Sequence, residues 1–217
     1  MFRLFSLLIG YAFGCIQSAY IAGKLIKGID IRDYGSKNSG FTNANRVMGF
    51  KIGVWVFIAD MAKAIAAFLI ASWLFEGGGS FRDSYAANGL LPGAWAGLGV
   101  VLGHCFPIFM KFKGGKGIAC TVGLVFMLDW RAAVIIYVIA MILILITRYI
   151  SLASLVITLF TVIFMAVFGH GWEAVVITGV LAMIAWFMHR DNIKRLLTGT
   201  ERKFSFRKKE GNNTDSM

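Results

Sequence analysis

The sequence predicts an all-α integral membrane protein with seven transmembrane helices, the N-terminus outside and the C-terminus in the cytoplasm. Three observations carry this expectation: the apolar content, its grouping into long runs, and the placement of basic residues between those runs. Residues of the AVILMFWYC set form 58% of the 217-residue chain and charged residues 15%, against ~45–50% and ~25% in average soluble domains. Mean hydropathy is +0.73. This balance excludes a disordered chain, a coiled coil and an ordinary cytosolic domain. The three cysteines, Cys15, Cys105 and Cys120, are odd in number and lie in or beside apolar runs. They form neither a disulfide framework nor a metal-ligand spacing.

Each span follows from one length requirement. Crossing ~30 Å of hydrocarbon at ~1.5 Å per helical residue takes ~20 mostly apolar residues. Seven stretches approach that length, at about 4–22, 52–75, 91–109, 117–129, 131–147, 152–168 and 173–188. The first resembles a signal peptide but lacks a strongly basic start and a clean small-residue cleavage site, so it is read as a spanning helix. The fourth is too short to cross unaided. It borrows from the glycine-rich stretch before it or begins below the bilayer surface. Stretches 131–147 and 152–168 are also short, which keeps a count of five or six open. No internal repeat is evident. A single membrane domain over 1–210 is expected, with a polar disordered tail over 211–217.

Charge orients the spans. The net charge is +11, from 22 Lys and Arg against 11 Asp and Glu. In the seven-span layout, eighteen of the basic residues fall on one side, between Lys24 and Lys51, between Lys111 and Lys116, at Arg148, and from Arg190 to Lys209. Three, Arg3, Arg82 and Arg131, fall on the other. Basic residues collect on the cytoplasmic side. The excess therefore reads as topology and attraction to anionic head groups rather than as a nucleic-acid surface.

The chemically distinctive residues lie almost wholly in the loops on that basic side, while outer loops such as EGGGSFRDSY and GHGW read as plain connectors. The first inner loop, Asp30 to Arg46, holds Ser36, Asn38, Thr42 and Asn43 as uncharged hydrogen-bonding groups and Arg46 as a planar fork for phosphate or carboxylate. The same residues also suit helix caps and a snorkelling arginine. The second inner loop, Gly103 to Gly117, carries His104, Pro107 and then Gly114, Gly115 and Gly117 around Lys116, directly before an apolar helix. Exposed amides, a helix N-terminus and a lysine make an anion site. Met110 and Gly117 break the Walker A pattern, so nucleotide hydrolysis is not indicated. The alternative is a flexible basic turn at lipid head groups, with His104 as a hydrogen-bonded interfacial histidine. The third inner loop places Ser151 and Ser154 on one face of a helix start, where either also serves as a cap. After the last span, His189 and Asn192 are three apart and face the same way. Asp60 and Lys63, inside the second span, read as a structural ion pair facing the bundle, with a proton or ion path as the sharper alternative.

The motifs G-S-x-N-x-G-x-T-N-x-x-R (Gly35 to Arg46), G-H-x-F-P-x-F-x-x-F-x-G-G-K-G (Gly103 to Gly117), R-x-x-S-L-x-S (Arg148 to Ser154) and H-x-x-N-I-x-R-L-x-x-G-x-E (His189 to Glu201) occur in that order. Together they resemble the PlsY family of bacterial acyl-phosphate:glycerol-3-phosphate acyltransferases over nearly the whole chain. Lys37 stands where that family often has Gly, Phe41 where it usually has Ala, and Ala64 where Gly is common.

The resemblance implies a seven-helix enzyme of the bacterial cytoplasmic (inner) membrane with its site on the cytoplasmic side. It implies transfer of a fatty acyl group from acyl phosphate to the 1-hydroxyl of sn-glycerol 3-phosphate, giving lysophosphatidic acid and phosphate. On this reading Ser36, Arg46, Lys116 and His189 are catalytic. Asn38, Thr42, Asn43, His104, Gly114, Gly115, Gly117, Ser154 and Asn192 bind substrate, with the backbone of the three glycines facing the acyl-phosphate group. No metal and no cofactor is expected, because acyl phosphate is already an activated mixed anhydride. The partners expected are the two substrates and membrane lipid, with functional coupling to the acyl-phosphate-forming enzyme and no nucleic acid. A histidine–aspartate acyltransferase pattern is absent, since Phe109, Val175 and Lys194 stand five places after the three histidines. Two other classes remain: an anion transporter, which predicts polar residues on both sides and often repeats, and a lipid-binding scaffold, which leaves the His, Asn and Ser loops without a use.

Overall fold

The computed structural model describes residues 1–76 and 90–204. Arg82, the outer loop around it and the 211–217 tail lie outside the described residues. Among the described residues all extended elements are helical: α1 (Phe2–Gly14), α2 (Ser18–Lys27), α3 (Phe41–Met48), α4 (Phe50–Glu76), α5 (Leu91–Cys105), α6 (Ile118–Leu128), α7 (Trp130–Thr147), α8 (Ile150–Val167), α9 (Trp172–Met188) and α10 (Arg190–Leu197). Single 3-10 turns at Ile31–Asp33 and Ile108–Met110 punctuate the first two inner loops.

Each of the seven apolar stretches is helical over most of its length. Five helical segments are long and apolar enough to cross a membrane, α1 with α2, α4, α5 with its following turn, α7, and α8. A sixth arises if α9 and α10, bent by 62° at His189, are taken as one broken span. The eleven-residue α6 rises only about 16 Å, about half the hydrocarbon thickness.

α5 is the centre of the bundle. Its Ala94, Ala96, Val100 and Cys105 are wholly buried, and α1, α4, α6 and α9 pack around it. The approach of α1 is close because glycines face glycines. A Cβ at Gly10 or Gly14 would strike the α5 backbone at Ala96 or Val100, and one at Gly99 or Gly103 would strike α1 at Leu7 or Tyr11. This is the small-xxx-small seam by which membrane helices bring their backbones together. α7 is the opposite case. It turns Val138, Met141, Ile142, Leu145 and Ile146 outward and buries only Ala132, Ala133 and Ile136, as a lipid-facing helix should.

The first predicted span is interrupted. α1 stops at Gly14 and α2 begins at Ser18, and the carbonyls freed at the break are bonded by a side chain from another helix. Lys63 on α4 donates to Ile16 O at 2.6 Å and Gly14 O at 3.3 Å. Its charge is met by Asp60 at 2.9 Å, which also accepts from Ser18 Oγ at 2.8 Å. The Asp60/Lys63 pair expected from the sequence is thus formed and buried inside the bundle.

At the opposite end, the connectors expected to be plain are more than that. Asp129 caps α7 by accepting from Arg131 N and Ala132 N. It also meets His170 Nε2 at 3.0 Å, tying the 168–171 turn to the α6–α7 junction. Arg3 binds Glu173 through two nitrogens at 2.9 and 2.6 Å, and Trp95 donates to the same carboxylate at 3.2 Å.

Candidate active site

The site is assembled where α6, α8, α9 and α10 end at one side of the bundle. Its hub is Glu201, in the segment that turns back after α10. One carboxylate oxygen accepts from Asn192 Nδ2 at 2.6 Å and Ser151 Oγ at 3.0 Å, and the other accepts from Arg195 Nε at 2.7 Å. Asn192 presents its oxygen the other way, to Lys116 Nζ. Lys116, from the second inner loop, is thereby joined to α8 and α10 through two side chains. The return segment is held along its length: Thr200 N donates to Arg195 O at 2.8 Å and Phe204 N to Arg148 O at 2.7 Å. The Phe204 ring lies 6.0 Å from Phe41, which in turn meets Phe57 edge-on at 5.8 Å. The aromatic residue at position 41 therefore lies between the return segment and α4.

His189 sits at the elbow between α9 and α10, buried at 3% exposure. Its Nδ1 lies 2.7 Å from Ala185 O. A carbonyl only accepts, so Nδ1 carries the proton and Nε2 is left with the lone pair. Burial, and next the charge of Lys116, lower its pKa to about 4, so the ring is neutral at pH 7. Lys116 is lowered to about 8, first by burial and against the attraction of Glu201. For Glu201, burial opposes ionisation more than any single partner favours it. The hydrogen bonds from Asn192, Arg195 and Ser151 together still bring its carboxyl below the usual range. Crowding about the Arg46 guanidinium, and then the positive charge of Arg202, hold that group below the usual arginine range. Glu201 binds Arg195 directly and its charge also acts on Lys116 and Arg46, while Asp191 acts on Lys116 too. With Arg202 nearby, cations outnumber carboxylates here, which suits phosphate.

The second inner loop folds tightly. Gly114 N donates to Cys105 O at 3.1 Å and Gly115 N to His104 O at 3.0 Å. These two amides, expected to face phosphate, are engaged by carbonyls, and the two glycines answer to close packing instead. A Cβ at Gly115 would overlap the His104 ring and one at Gly114 the His104 carbonyl. Gly117 adopts φ +77° as the residue before α6, and the first-turn amides of a helix have no intrahelical partner. Donors for an anion beside Lys116 therefore come from the start of α6.

In the first inner loop, Asn43 is buried and acts as the clamp. Its Oδ1 accepts Ser36 N at 2.7 Å, and its Nδ2 donates to Ile31 O at 3.1 Å and Tyr34 O at 3.0 Å. Ser36, Asn38 and Thr42 lie on this turn, with Ser36 exposed and Asn38 and Thr42 half-buried. Among the described residues no polar contact joins Ser36 to Lys116 or His189. His104 is buried, its Nδ1 at 2.9 Å from Lys63 Nζ. Asp60, His104 and Cys120 present ligand-type atoms within 4.8 Å of one another, but the Lys63 ammonium sits against Asp60 and His104 and fills that space.

A narrow space of about 10 Å³ lies between α6, α7 and α8, lined by Ile118, Val122, Val125, Tyr137, Ile157 and Thr161 among others. It begins at the first residue of α6, next to the Lys116 loop. A larger cleft of about 260 Å³, bordered by Cys15, Tyr20, Arg32 and Phe109, includes no residue of the Lys116 cluster.

A family model described as glycerol-3-phosphate acyltransferase matches residues 4–199. The chain belongs to the glycerol-3-phosphate acyltransferase family. Among relatives so named, that of Thermoanaerobacter sp. (strain X514) is 39% identical over 203 residues, covering 94% of this chain and 96% of its own. That of Aquifex aeolicus is 37% identical over 204 residues, covering 94% and 100%. Crystal structures of PlsY (YgiH), an integral membrane glycerol 3-phosphate acyltransferase, in glycerol 3-phosphate and lysophosphatidic acid forms superpose with TM-scores of 0.82 and 0.80. Each is 37% identical and covers 94% of this chain and 96% of its own.

In this acyltransferase the structure joins four of the expected residues directly or electrostatically: Lys116, His189, Asn192 and Arg46. Two others that it recruits, Glu201 and Ser151, were quoted within the motifs but given no role. The signal for Glu201 was present, a carboxylate ending a motif rich in Arg and Lys that otherwise holds only Asp191 as an acid. Ser154 instead bonds back to Ile150 O at 2.9 Å within α8, and it is Ser151 that reaches Glu201.

Proposed function

We propose that this acyltransferase moves a fatty acyl group from acyl phosphate to the 1-hydroxyl of sn-glycerol 3-phosphate, with lysophosphatidic acid and inorganic phosphate as products. The observation that carries the reading is the network Lys116–Asn192–Glu201–Arg195, with Arg46 and Arg202 adding positive charge around it and the neutral His189 beside it. Two phosphate-bearing substrates need such an excess of cations. The relative crystallised with glycerol 3-phosphate and with lysophosphatidic acid supports it, since these are the acceptor and product of such a transfer.

In the proposed reaction the acceptor hydroxyl oxygen attacks the acyl carbonyl carbon, the bond from that carbon to the phosphate oxygen breaks, and phosphate leaves with the electron pair. The donor is activated, so the protein's work is alignment and stabilisation of developing charge. Lys116 and the start of α6 neutralise the leaving phosphate, with Gly114, Gly115 and His104 shaping that turn. Ser36, held by Asn43 and flanked by Asn38 and Thr42, meets the same phosphate from the first loop, and Arg46 adds charge. Asn192 and His189 orient glycerol 3-phosphate, with Ser154 behind them on α8. His189, lowered to about 4, is a weaker base than a phosphate monoester with a second pKa of ~6. The hydroxyl proton therefore passes to the substrate's own phosphate, and His189 Nε2 accepts a hydrogen bond that aims the nucleophile. The space between α6, α7 and α8 is about 10 Å³, room for about one water, so the acyl chain runs along lipid beside the apolar face of these helices.

The same reading takes the chain as one membrane domain with seven helices across the bacterial inner membrane, N-terminus outside. α6 is the fourth of these helices, the site faces the cytoplasm, and the enzyme that makes acyl phosphate supplies it. Purified protein in detergent should release phosphate from palmitoyl phosphate only when glycerol 3-phosphate is added, and Lys116→Ala should abolish release while circular dichroism stays helical. Passage of labelled phosphate into sealed vesicles without any chemistry would replace this reading with a transporter.

A further inference from the structure

Asp60 and Lys63 lie outside the Lys116 cluster, yet an unbroken run of contacts connects them to its loop. Lys63 Nζ stands 2.9 Å from both Asp60 Oδ1 and His104 Nδ1. An ammonium only donates, so the His104 nitrogen facing it offers a lone pair and the ring proton is on Nε2. That Nε2 edge lies against Gly115, where no Cβ fits, and the His104 carbonyl accepts Gly115 N at 3.0 Å. His104 therefore grips Gly115 with both ring and backbone, and the next residue is Lys116. A second brace runs to the other loop: Gln17 Nε2 donates to the same His104 carbonyl at 3.1 Å, and its Oε1 accepts from Ser39 Oγ at 3.0 Å.

An ion pair whose side chains are 6% and 1% exposed loses hydration that well-packed apolar residues would not. What it provides in exchange is a fixed arrangement. We propose that Asp60 and Lys63 are positioning residues for acyl transfer, acting through one tautomer and one orientation of His104 to hold the 114–117 turn and set where Lys116 stands. The proposal deepens the function given above and rests on it for its kinetic arm.

The experiment compares the full-length wild type with Lys63→Met and with Asp60→Asn/Lys63→Met, which leaves no buried charge and keeps the test open where the single variant fails to fold. KM for palmitoyl phosphate should rise about tenfold or more, while KM for glycerol 3-phosphate changes less than about twofold. A merely structural pair would lower the melting temperature and the active fraction, leaving both KM values alone. A second readout needs no turnover: the rate at which a water-soluble amine reagent acylates Lys116, followed by peptide mass spectrometry, should rise severalfold in both variants. Unchanged KM for palmitoyl phosphate together with an unchanged Lys116 labelling rate overturns the proposal. A wild type that releases no phosphate in the presence of glycerol 3-phosphate defeats the function reading instead, and the labelling arm then decides the positioning claim alone.

Discussion

Replacing Glu201 by Gln tests the hub with almost no change of volume. The carboxylate accepts three hydrogen bonds, at 3.0, 2.6 and 2.7 Å. Gln keeps one oxygen, which can still serve Ser151 and Asn192, but it turns an NH2 toward Arg195. One charge-assisted bond is lost outright and two become neutral. A hydrogen bond to a charged group contributes about 1.5–3 kcal/mol. The Arg195 side chain is 39% exposed, so water recovers part of its share and the lower half of that range applies. About 1.5–2 kcal/mol is about 10- to 30-fold in rate if the whole loss appears in the transition state. Because Asn192 is the link to Lys116, the loss should appear in kcat/KM for both substrates, measured by phosphate release, with the melting temperature lowered by only a few degrees. Wild-type kcat/KM in Glu201→Gln, with the protein folded, would show that the Glu201 charge does not set the position of Lys116. Acid should mimic the substitution. The carboxyl is held below its ordinary range, so its stabilisation is complete above the unfolded-state value near ~4.3 and is lost as pH falls through the lower folded-state value.

Two further outcomes follow from local geometry. Lys116 titrates near about 8, so its charge, and with it affinity for the acyl-phosphate group, should fade on raising the pH past that value. Folding stability gains over the same interval, because the buried ammonium is the penalised form until pH reaches the unfolded-state value of ~10.4. A KM for palmitoyl phosphate that stays flat to pH 10 would remove Lys116 as a charge donor. Lys37 adopts φ +60°, a left-handed conformation that costs a side-chain-bearing residue ~1–2 kcal/mol and glycine little. Set against the greater chain entropy glycine loses on folding, Lys37→Gly should leave the melting temperature equal or slightly higher, and β-branched Lys37→Val should lower it. A drop for Gly larger than for Val would refute the strain account.

Much of this was legible in the sequence, and the remainder was hidden for identifiable reasons. Helix content and span positions follow from apolar runs, which burial in lipid enforces residue by residue. Lys116, His189, Asn192 and Arg46 stood out in the sequence because such polar types are costly at a membrane boundary, and the structure bonds Lys116 to Asn192. Spacing alone could not separate Ser151 from Ser154: both lie on one helix face, but only the three-dimensional return of Glu201 selects the first, while the second bonds within its own turn. The amides of Gly114 and Gly115 were expected to be free. Their engagement with Cys105 and His104 depends on a loop that doubles back after Pro107, which no local periodicity reports. The interruption after Gly14 was likewise missed: the polar pair Gln17 and Ser18 sits there in an otherwise apolar run, but the compensating donor lies 47 positions further on.

That distance has a bearing on biogenesis. As the chain leaves the ribosome, the first helix reaches the bilayer with only the Gln17 amide close by to meet the Gly14 carbonyl, and the lysine that reaches both Gly14 O and Ile16 O arrives only with the next long helix. The glycine seam is later still, because its other half belongs to the third. The amino-terminal segment is thus a guest in the membrane before it is a member of the protein, and its final seating waits on sequence not yet translated.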